Sequence, residues 1–329
     1  MTNVIAFAIL SAIKIGIVIG VLLLVIAYLI WIERKVMAHM QVRLGPMRVG
    51  WHGLLQPIAD GLKLILKEDI IPANASKILF VLSPAIAMVP ALLAIAVIPF
   101  GDTISIMGVS IDMVITDVNI GILFILAVSS VGVYGILLAG WSSNNKYSLL
   151  GGLRSSAQMI SYELSMGLSL IGVIMMTESL SLVDTVDAQA NLWFVVLQPV
   201  AFVVYAISAI AETNRCPFDL PEAETELVSG FHTEYSSMKF ALFFMAEYAN
   251  IITVSAVGVT FFLGGWRGPF LPPVVWFLIK MAMCIFFFVW LRSTFPRFRI
   301  DQLMKFAWKV LLPVAVVNVL ITGIVMSLL

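Results

Sequence analysis

The stretch VIAFAILSAIKIGIVIGVLLLVIAYLI, residues 4–30, contains a single charged residue, Lys14. A helix needs about 20 consecutive apolar residues to cross the hydrocarbon core of a bilayer. This run is continuous rather than alternating, which indicates a helix and not a barrel strand. It is too long for the apolar part of a cleavable signal peptide, and no small-x-small cleavage site precedes the polar flank that begins at Glu33. We therefore expect these residues to remain as a first transmembrane helix.

Similar apolar runs recur along the whole chain of 329 residues, which is 61% hydrophobic and only 12% charged, with a mean hydropathy of +1.06. No polar gap between them is large enough for a soluble domain. The pattern predicts an all-α, polytopic membrane protein whose residues 1–329 form a single transmembrane domain. We predict eight transmembrane helices, at residues 4–30, 78–100, 119–140, 157–177, 191–211, 238–263, 272–291 and 306–328.

Basic residues are concentrated in the loops that follow predicted spans one, three, five and seven. The opposite loops contain six acidic residues but only one basic residue, Arg267. Because cytoplasmic loops carry an excess of Lys and Arg, the basic loops are predicted to be cytoplasmic. Eight spans then place both termini in the periplasm or its equivalent, in a multi-pass protein of a bacterial inner membrane.

Residues that bind redox groups are scarce. Two cysteines, Cys216 and Cys284, are too few for an iron–sulfur cluster bound by this chain alone. The three histidines fall outside the predicted spans, and no nucleotide-binding glycine motif occurs. We expect no metal, no cofactor and no complete catalytic site in this chain alone, so that other subunits must supply the electrons for any redox reaction.

The first predicted cytoplasmic loop, residues 31–77, contains an amphipathic pattern. From Leu54, apolar residues recur every three or four positions, while Gln56, Asp60 and Lys63 occupy the other face. This spacing predicts a helix that lies in the plane of the membrane interface. Its polar face is either simply solvated or lines a cavity at the membrane surface, together with residues that precede it in the chain: Glu33, Arg34 and Arg43.

An acidic segment, AETNRCPFDLPEAETELVSGFHTEY, occupies residues 211–235 and contains six of the nineteen carboxylates but a single basic residue, Arg215. It falls in the predicted cytoplasmic loop 212–237. Pro217 and Pro221 should prevent it from continuing span five as a regular helix. Taken alone, alternating glutamates are most simply explained as solvated. The six acids are Glu212, Asp219, Glu222, Glu224, Glu226 and Glu234.

Two further acids, Glu163 and Glu247, lie inside predicted spans, Glu163 about two turns from the cytoplasmic end and Glu247 slightly deeper. A charged residue near a helix centre costs about 2.5–3.5 kcal/mol on insertion scales, which marks an intramembrane acid as a functional candidate. Together with Glu212 at the end of span five, they are placed to relay protons. The alternative is that they form structural pairs. Lys14 and Lys280 are also within spans, and we assign them no catalytic role.

Five ordered segments resemble one known family. GLLQPIADGLKLILKE (53–68) and PFDLPEAETELVSG (217–230) look like the two signature segments of the H subunit of NADH-quinone oxidoreductase, respiratory complex I. WIERKVMAHMQVRLGPMRVG (31–50), AGWSSNNKYSLLGGLRSSAQMISYE (139–163) and GGWRGP (264–269) match the same pattern in the same order. The resemblance covers essentially the whole chain.

This resemblance implies a membrane subunit that helps form a quinone chamber, entered from the lipid, and couples quinone reduction to proton translocation. The substrate would be ubiquinone or menaquinone. The implied partners are other membrane-arm subunits and the peripheral subunits that carry the terminal iron–sulfur cluster. Residues implied for the chamber are Glu33, Arg34, Arg43 and Asp60. Residues implied for proton coupling are Glu163, Glu212, Asp219, Glu222, Glu224, Glu226, Glu234 and Glu247; Glu212 matches the mitochondrial-like version of the motif.

Two other functions are consistent with a polytopic protein of this kind. One is the equivalent subunit of a membrane-bound hydrogenase or related dehydrogenase, which need not bind quinone. The other is a stand-alone transporter that uses the acids to bind H⁺ or Na⁺. Many transporters have internal repeats, and none is apparent between the halves of this chain, which argues against the transporter.

Overall fold

The structure, a computed structural model, describes residues 2–106, 109–111, 113–220 and 224–328. It is helical except for one short antiparallel hairpin, β1 (Ile104–Ile106) and β2 (Val109–Ile111), which the apolar pattern did not predict. The helices are α1 (Thr2–Met40), α2 (Gln56–Leu66), α3 (Lys77–Leu93), α4 (Gly121–Ser142), α5 (Lys146–Thr177), α6 (Leu182–Ala188), α7 (Phe194–Leu197), α8 (Pro199–Glu212), α9 (Glu224–Leu227), α10 (Ser237–Phe262), α11 (Pro273–Thr294), α12 (Ile300–Phe306) and α13 (Leu312–Leu328).

The predicted class, an all-α polytopic membrane protein, is confirmed. Within the described residues, seven helices are long and apolar enough to cross a bilayer. They are Ser11–Met40, Lys77–Val97, Gly121–Ser142, Lys146–Thr177, Ser237–Phe262, Pro273–Thr294 and Ile300–Leu328, the last of which joins α12 to α13 through a π-helical turn, Ala307–Leu311.

The predicted fifth span is not one continuous helix. It is broken at Gln198, which has φ −128° and ψ 54° and separates α7 from α8. Pro199 follows, and a proline disfavours helical geometry in the residue before it. The 14 residues of α8 are about 21 Å long, which is short of the ~30 Å hydrocarbon core. A count of eight spans therefore stays a prediction.

Among the helices, α1 and α5 extend furthest beyond the predicted spans. α1 continues to Met40, so Glu33 and Arg34 lie on a helix rather than in a loop. α5 begins at Lys146 and is 32 residues long. Glu163 therefore lies near the middle of α5, whereas the predicted span 157–177 begins six residues before it. Its depth in the membrane stays a prediction. Serines and glycines in the first half of α5 lower its hydropathy without preventing a helix.

In the bundle, α3, α4, α5 and α8 are neighbours, and α10 packs against α3 and α8. α1 and α11 lie against α10, while α13 packs on α5 and α8. The amphipathic helix α2, which the sequence predicted, packs against α1 and α10 at one end of the bundle. This end also contains Asp69, which pairs with Lys239 at the start of α10 over 2.9 Å. We refer to it as the predicted cytoplasmic end.

The last part of the acidic segment is folded into the bundle. The turn Gly230–His232 packs against α5. Gly151 permits this approach, because a Cβ there would be 2.7 Å from the backbone nitrogen of Phe231. Tyr235 stacks on Phe80 of α3, with ring centroids 4.0 Å apart, and its hydroxyl donates to the Phe80 carbonyl oxygen at 3.2 Å. The segment is therefore anchored between helices at its C-terminal end.

Candidate functional site

Glu33 is at the centre of a buried charge cluster made of Glu33, Arg215, Glu247, Tyr248 and Arg292. Its side chain is only 4% exposed and faces the interior of the bundle from α1. Arg215 Nη1 lies 3.3 Å from Glu33 Oε1, and Arg292 Nη1 donates to the same oxygen. The Tyr248 hydroxyl donates to Glu33 Oε2 at 2.7 Å. Both carboxylate oxygens are therefore bound by donors from distant parts of the chain.

Arg215 connects this carboxylate to a second one. Its Nε lies 2.5 Å from Glu247 Oε1, and its guanidinium is 4.4 Å from the ring centroid of Tyr248. Glu247 and Tyr248 are neighbours on α10, whereas Glu33 is on α1. One arginine just after α8 thus bridges two acids from two other helices. The planar guanidinium suits this role because it offers several fixed donors.

Two small cavities lie inside the bundle, and the first adjoins the cluster. The first, about 40 Å³, is lined by Glu247, His232, Asn250 and Glu212. The second, about 20 Å³, is also lined by Glu212 and Asn250 and reaches Tyr205. Because the two cavities share these side chains, they adjoin one another. The acids of α8 and α10 therefore border one polar-edged internal path.

Glu212 borders both cavities, and Glu163 lies close enough to Glu212 to interact with it electrostatically. Glu212 is 7% exposed, and its Oε2 has no hydrogen-bond partner among the described residues. The Ser130 hydroxyl of α4 donates to Glu163 Oε1. Buried polar oxygens are normally satisfied by protein or water. A carboxyl group with an unsatisfied oxygen beside a cavity is suited to bind a water molecule or to hold a proton.

Arg34 and Asp60 meet on the outer side of α1. Arg34 Nη1 lies 2.7 Å from Asp60 Oδ2, and Gln56 donates to the other Asp60 oxygen at 2.8 Å. This contact joins α1 to the polar face of α2. Arg43 is exposed and donates to Gln41 at 2.8 Å, so it is not part of the contact. Of the four residues that the resemblance assigns to the chamber, two are in contact and Glu33 points into the bundle instead.

The acidic segment is divided by its environment. Asp219 is buried and pairs with Arg297 at 3.0 Å, and Glu234 accepts from the Asn145 amide at 2.7 Å. Glu226 is 56% exposed and pairs with Arg154 at 2.7 Å, which is a solvated surface contact. Glu222 lies outside the described residues, and Glu224 is described only by the backbone of α9.

Three groups in the loop have shifted pKa values. Burial among Phe231, Phe240 and Phe244 lowers the pKa of His232 to about 4, so that it is neutral at pH 7. Burial raises the pKa of the Tyr235 hydroxyl. Burial, with a contribution from the nearby Asp219 carboxylate, also raises the pKa of the Cys216 thiol. The loop thus presents a neutral imidazole to the first cavity.

Sequence reasoning missed three members of the buried charge cluster. Tyr248 and Arg292 carried no signal, since a tyrosine within a long helix and an arginine near a helix end are ordinary features of membrane proteins. Arg215 did carry one, as the single basic residue among six acids. That imbalance indicated an arginine bound by carboxylates, although not which carboxylates they were.

Comparison with known proteins identifies the family. A family model described as NADH dehydrogenase matches residues 13–323. An H subunit of NADH-quinone oxidoreductase from Geobacter sulfurreducens is 60% identical over 328 residues, covering 96% of this chain and 94% of that protein. The chain belongs to the H-subunit family of NADH-quinone oxidoreductase. An H subunit from Geobacter metallireducens is 58% identical, covering 98% of this chain and 97% of its own length. Another, from Syntrophobacter fumaroxidans, is 54% identical and covers 94% of both chains.

Membership of this family confirms the expectation drawn from the five ordered segments. It supports the complex I subunit over the hydrogenase and transporter alternatives. It also agrees with the helical, membrane-spanning architecture described above. The roles of individual residues are a separate matter, which depends on the geometry of the buried charge cluster and the contact between α1 and α2.

Proposed function

We propose that this chain is a membrane subunit of a proton-translocating NADH-quinone oxidoreductase, in which it forms part of the quinone chamber and couples quinone reduction to proton movement. The observation that carries the proposal is the bridge from Glu33 through Arg215 to Glu247. It connects α1, close to the amphipathic helix α2, with the cavities that Glu212 borders. Through these contacts, a change of charge near α1 would alter the electrostatic balance at the intramembrane acids.

The chamber function rests on the polar contact between α1 and α2. Arg34 and Asp60 hold the amphipathic helix against α1 at the predicted cytoplasmic end. Cations such as Arg34 and the exposed Arg43 would stabilise negative charge as it develops on the quinone oxygens. Glu33, the fourth residue assigned to the chamber, is buried on the opposite side of α1 and would act through the charge cluster. The quinone, ubiquinone or menaquinone, would be the substrate, and its electrons would come from a cluster in another subunit.

The coupling function rests on Glu247 and Glu212, which line the internal path, and on Glu163, which lies near Glu212. A buried carboxyl group beside another acid favours its protonated form, because burial and like charge both oppose ionisation. Adding negative charge at the quinone would attract Arg215 away from one of its two carboxylates. Glu247, having lost its positive partner, would then take up a proton. This change in the charge of Glu247 would in turn alter the protonation of Glu212. The cluster contains two acids and two arginines, so any change at one member alters the balance for the others.

Partners and location follow from this function. The predicted cytoplasmic end, which contains α2 and the acidic segment, would face the peripheral subunits that carry the terminal iron–sulfur cluster. The remaining lateral surfaces of the bundle would contact other membrane-arm subunits and lipid. Both termini are proposed to lie in the periplasm, as the distribution of Lys and Arg indicates.

Replacing Asp60 by Asn tests the chamber function. The change removes the negative charge from a partly exposed pair with Arg34, a contribution of about 1 kcal/mol at most, so we expect the NADH:quinone reductase rate to fall about threefold to fivefold. NADH oxidation by an artificial acceptor at the peripheral arm should be unchanged. Asp187→Asn is the matched control, because Asp187 pairs with Arg267 at the same distance of 2.7 Å but far from α2. A normal quinone reductase rate in the Asp60 variant would contradict a role for this residue in the chamber.

A further inference from the structure

A long apolar groove runs along the outside of the bundle, away from the buried charge cluster. Its larger part, about 580 Å³, lies between α8, the end of α11 and α12, and its lining includes Ile207, Phe218, Phe298 and Phe306. A second part, about 400 Å³, continues between α8 and α13. Ile207 and Phe306 line both parts, so the groove is continuous. Among its walls, Val203 is 54% exposed and Phe295 is 51% exposed, and both face the surroundings of the bundle.

The length of the groove matches one leaflet of a membrane. It extends along the last helix from Gln302 to Val314. At 1.5 Å per residue, this distance is about 18 Å. Half of the hydrocarbon core is about 15 Å thick, whereas a transmembrane helix of a partner would need the full ~30 Å. The groove therefore accommodates the chains of an amphiphile from one leaflet better than it accommodates a spanning helix.

Basic side chains lie near the end of the groove where α12 begins. Residues 297–309 contain four of them, Arg297, Arg299, Lys305 and Lys309. Arg297 pairs with Asp219, and Arg299 lies 3.5 Å from Asp301 in an exposed pair that a phosphate can replace. The Arg299 side chain is 79% exposed and adjoins the lining residue Phe298, and Lys305 adjoins the lining residue Phe306. Arginine binds phosphate through paired donors, and basic residues near the membrane surface attract anionic lipids. A neutral quinone headgroup would gain little from this charge.

We propose that the groove is a binding site for an anionic phospholipid of the leaflet at the predicted cytoplasmic end. Its acyl chains lie along α8 and α13, and its phosphate is held by Arg299 and Lys305. The bound lipid contacts Pro217 and Phe218, which line the groove at the start of the acidic segment. The neighbouring Asp219 is held by Arg297 at 3.0 Å. Lipid binding thus supports the segment at the point where it leaves α8.

Photo-crosslinking of the assembled complex tests the site. Vesicles containing the complex are prepared with phosphatidylglycerol, or in parallel with phosphatidylcholine, each carrying a diazirine in the acyl chain. After irradiation, adducts are located on peptides by mass spectrometry. We expect phosphatidylglycerol adducts on the groove-lining parts of α8 and α13, in several-fold excess over phosphatidylcholine adducts. The double variant Arg299→Gln/Lys305→Gln should lower the phosphatidylglycerol yield several-fold, whereas Arg48→Gln, an exposed cation elsewhere at the same end, should not.

A second variant fills the groove without changing its charge. Val203→Trp places a large ring at an exposed wall position and should lower the yield with both lipids. Equal labelling by the two lipids, or labelling that is indifferent to loss of Arg299 and Lys305, would overturn the proposal. So would labelling confined to a helix of a neighbouring subunit at this position, or displacement of phosphatidylglycerol by a quinone analogue.

Discussion

At the residue scale, the buried charges of Glu33 and Lys280 are stabilised by different kinds of partner. Glu33 is bound by side chains: it pairs with two arginines and accepts a hydrogen bond from a tyrosine hydroxyl. Lys280 is bound by backbone instead, since its ammonium donates to the carbonyl oxygens of Leu263, Gly265 and Arg267 at 2.6, 3.0 and 2.6 Å. These carbonyls belong to the chain that leaves α10, where the helix dipole favours a cation. The sequence marked Lys280 as unusual but offered no partner for it.

Replacing Lys280 by Met tests this capping role. The side chain keeps a similar shape but leaves three carbonyl oxygens without their donor, at about 1–3 kcal/mol for each buried unsatisfied group. We expect the temperature at which the complex loses half its quinone reductase activity to fall clearly. Lys309→Met, at an exposed position of the last helix, should leave that temperature unchanged. Equal stability of the two variants would contradict the capping role.

Residue identities alone predicted much of the site but not its contacts. The intramembrane position of Glu247 and the lone Arg215 were both visible in the chain. The pairing of Arg215 with Glu33 was not, because 182 positions separate the two residues. Single-sequence patterns report which side chains are costly to bury, whereas the partner that offsets the cost is set by helix packing.

At the element scale, the break between α7 and α8 shows where apolar periodicity is insufficient. The run from residue 191 to 211 is apolar enough for a span, yet Gln198 leaves helical geometry before Pro199. Pro199 is visible in the sequence, and its effect on the preceding residue is the physical reason for the break. In contrast, α2 was predicted well, since its amphipathic spacing is independent of any tertiary contact.

At the break, the Gln198 side chain forms hydrogen bonds with the last helix. Gln198 donates to the Thr322 hydroxyl at 2.8 Å and accepts from the Asn318 amide at 2.9 Å. Gln198→Leu should therefore loosen α13 and lower the temperature of half-inactivation. Adding Thr322→Val to that variant should lower the temperature of half-inactivation little further, because Thr322 has already lost its Gln198 partner. Fully additive losses would show that the two side chains act independently; Ser327→Ala, near the end of α13, is the control.

At the scale of the whole molecule, the buried charge cluster lies at one end of the bundle. The ends of α1, α8 and α11 and the start of α10 meet there through Glu33, Arg215, Arg292 and the Asp69–Lys239 pair. The distribution of Lys and Arg predicts that this end is cytoplasmic. The sequence did not predict that the acidic segment turns back into the bundle, because its burial depends on a glycine in α5 and a stacking partner in α3.

We propose above that Arg215 couples a change of charge on the chamber side, near Glu33, to the protonation of the intramembrane acids. Arg215→Lys tests it most directly, because lysine keeps the charge but cannot bond both Glu33 and Glu247 in the fixed geometry of a guanidinium. In proteoliposomes, we expect NADH:quinone turnover and the associated proton uptake to fall at least about tenfold, corresponding to about 1.4 kcal/mol. Artificial-acceptor activity should be preserved, and Arg154→Lys, at the exposed pair with Glu226, should behave as wild type. Wild-type turnover and proton uptake in the Arg215→Lys complex would contradict the claim.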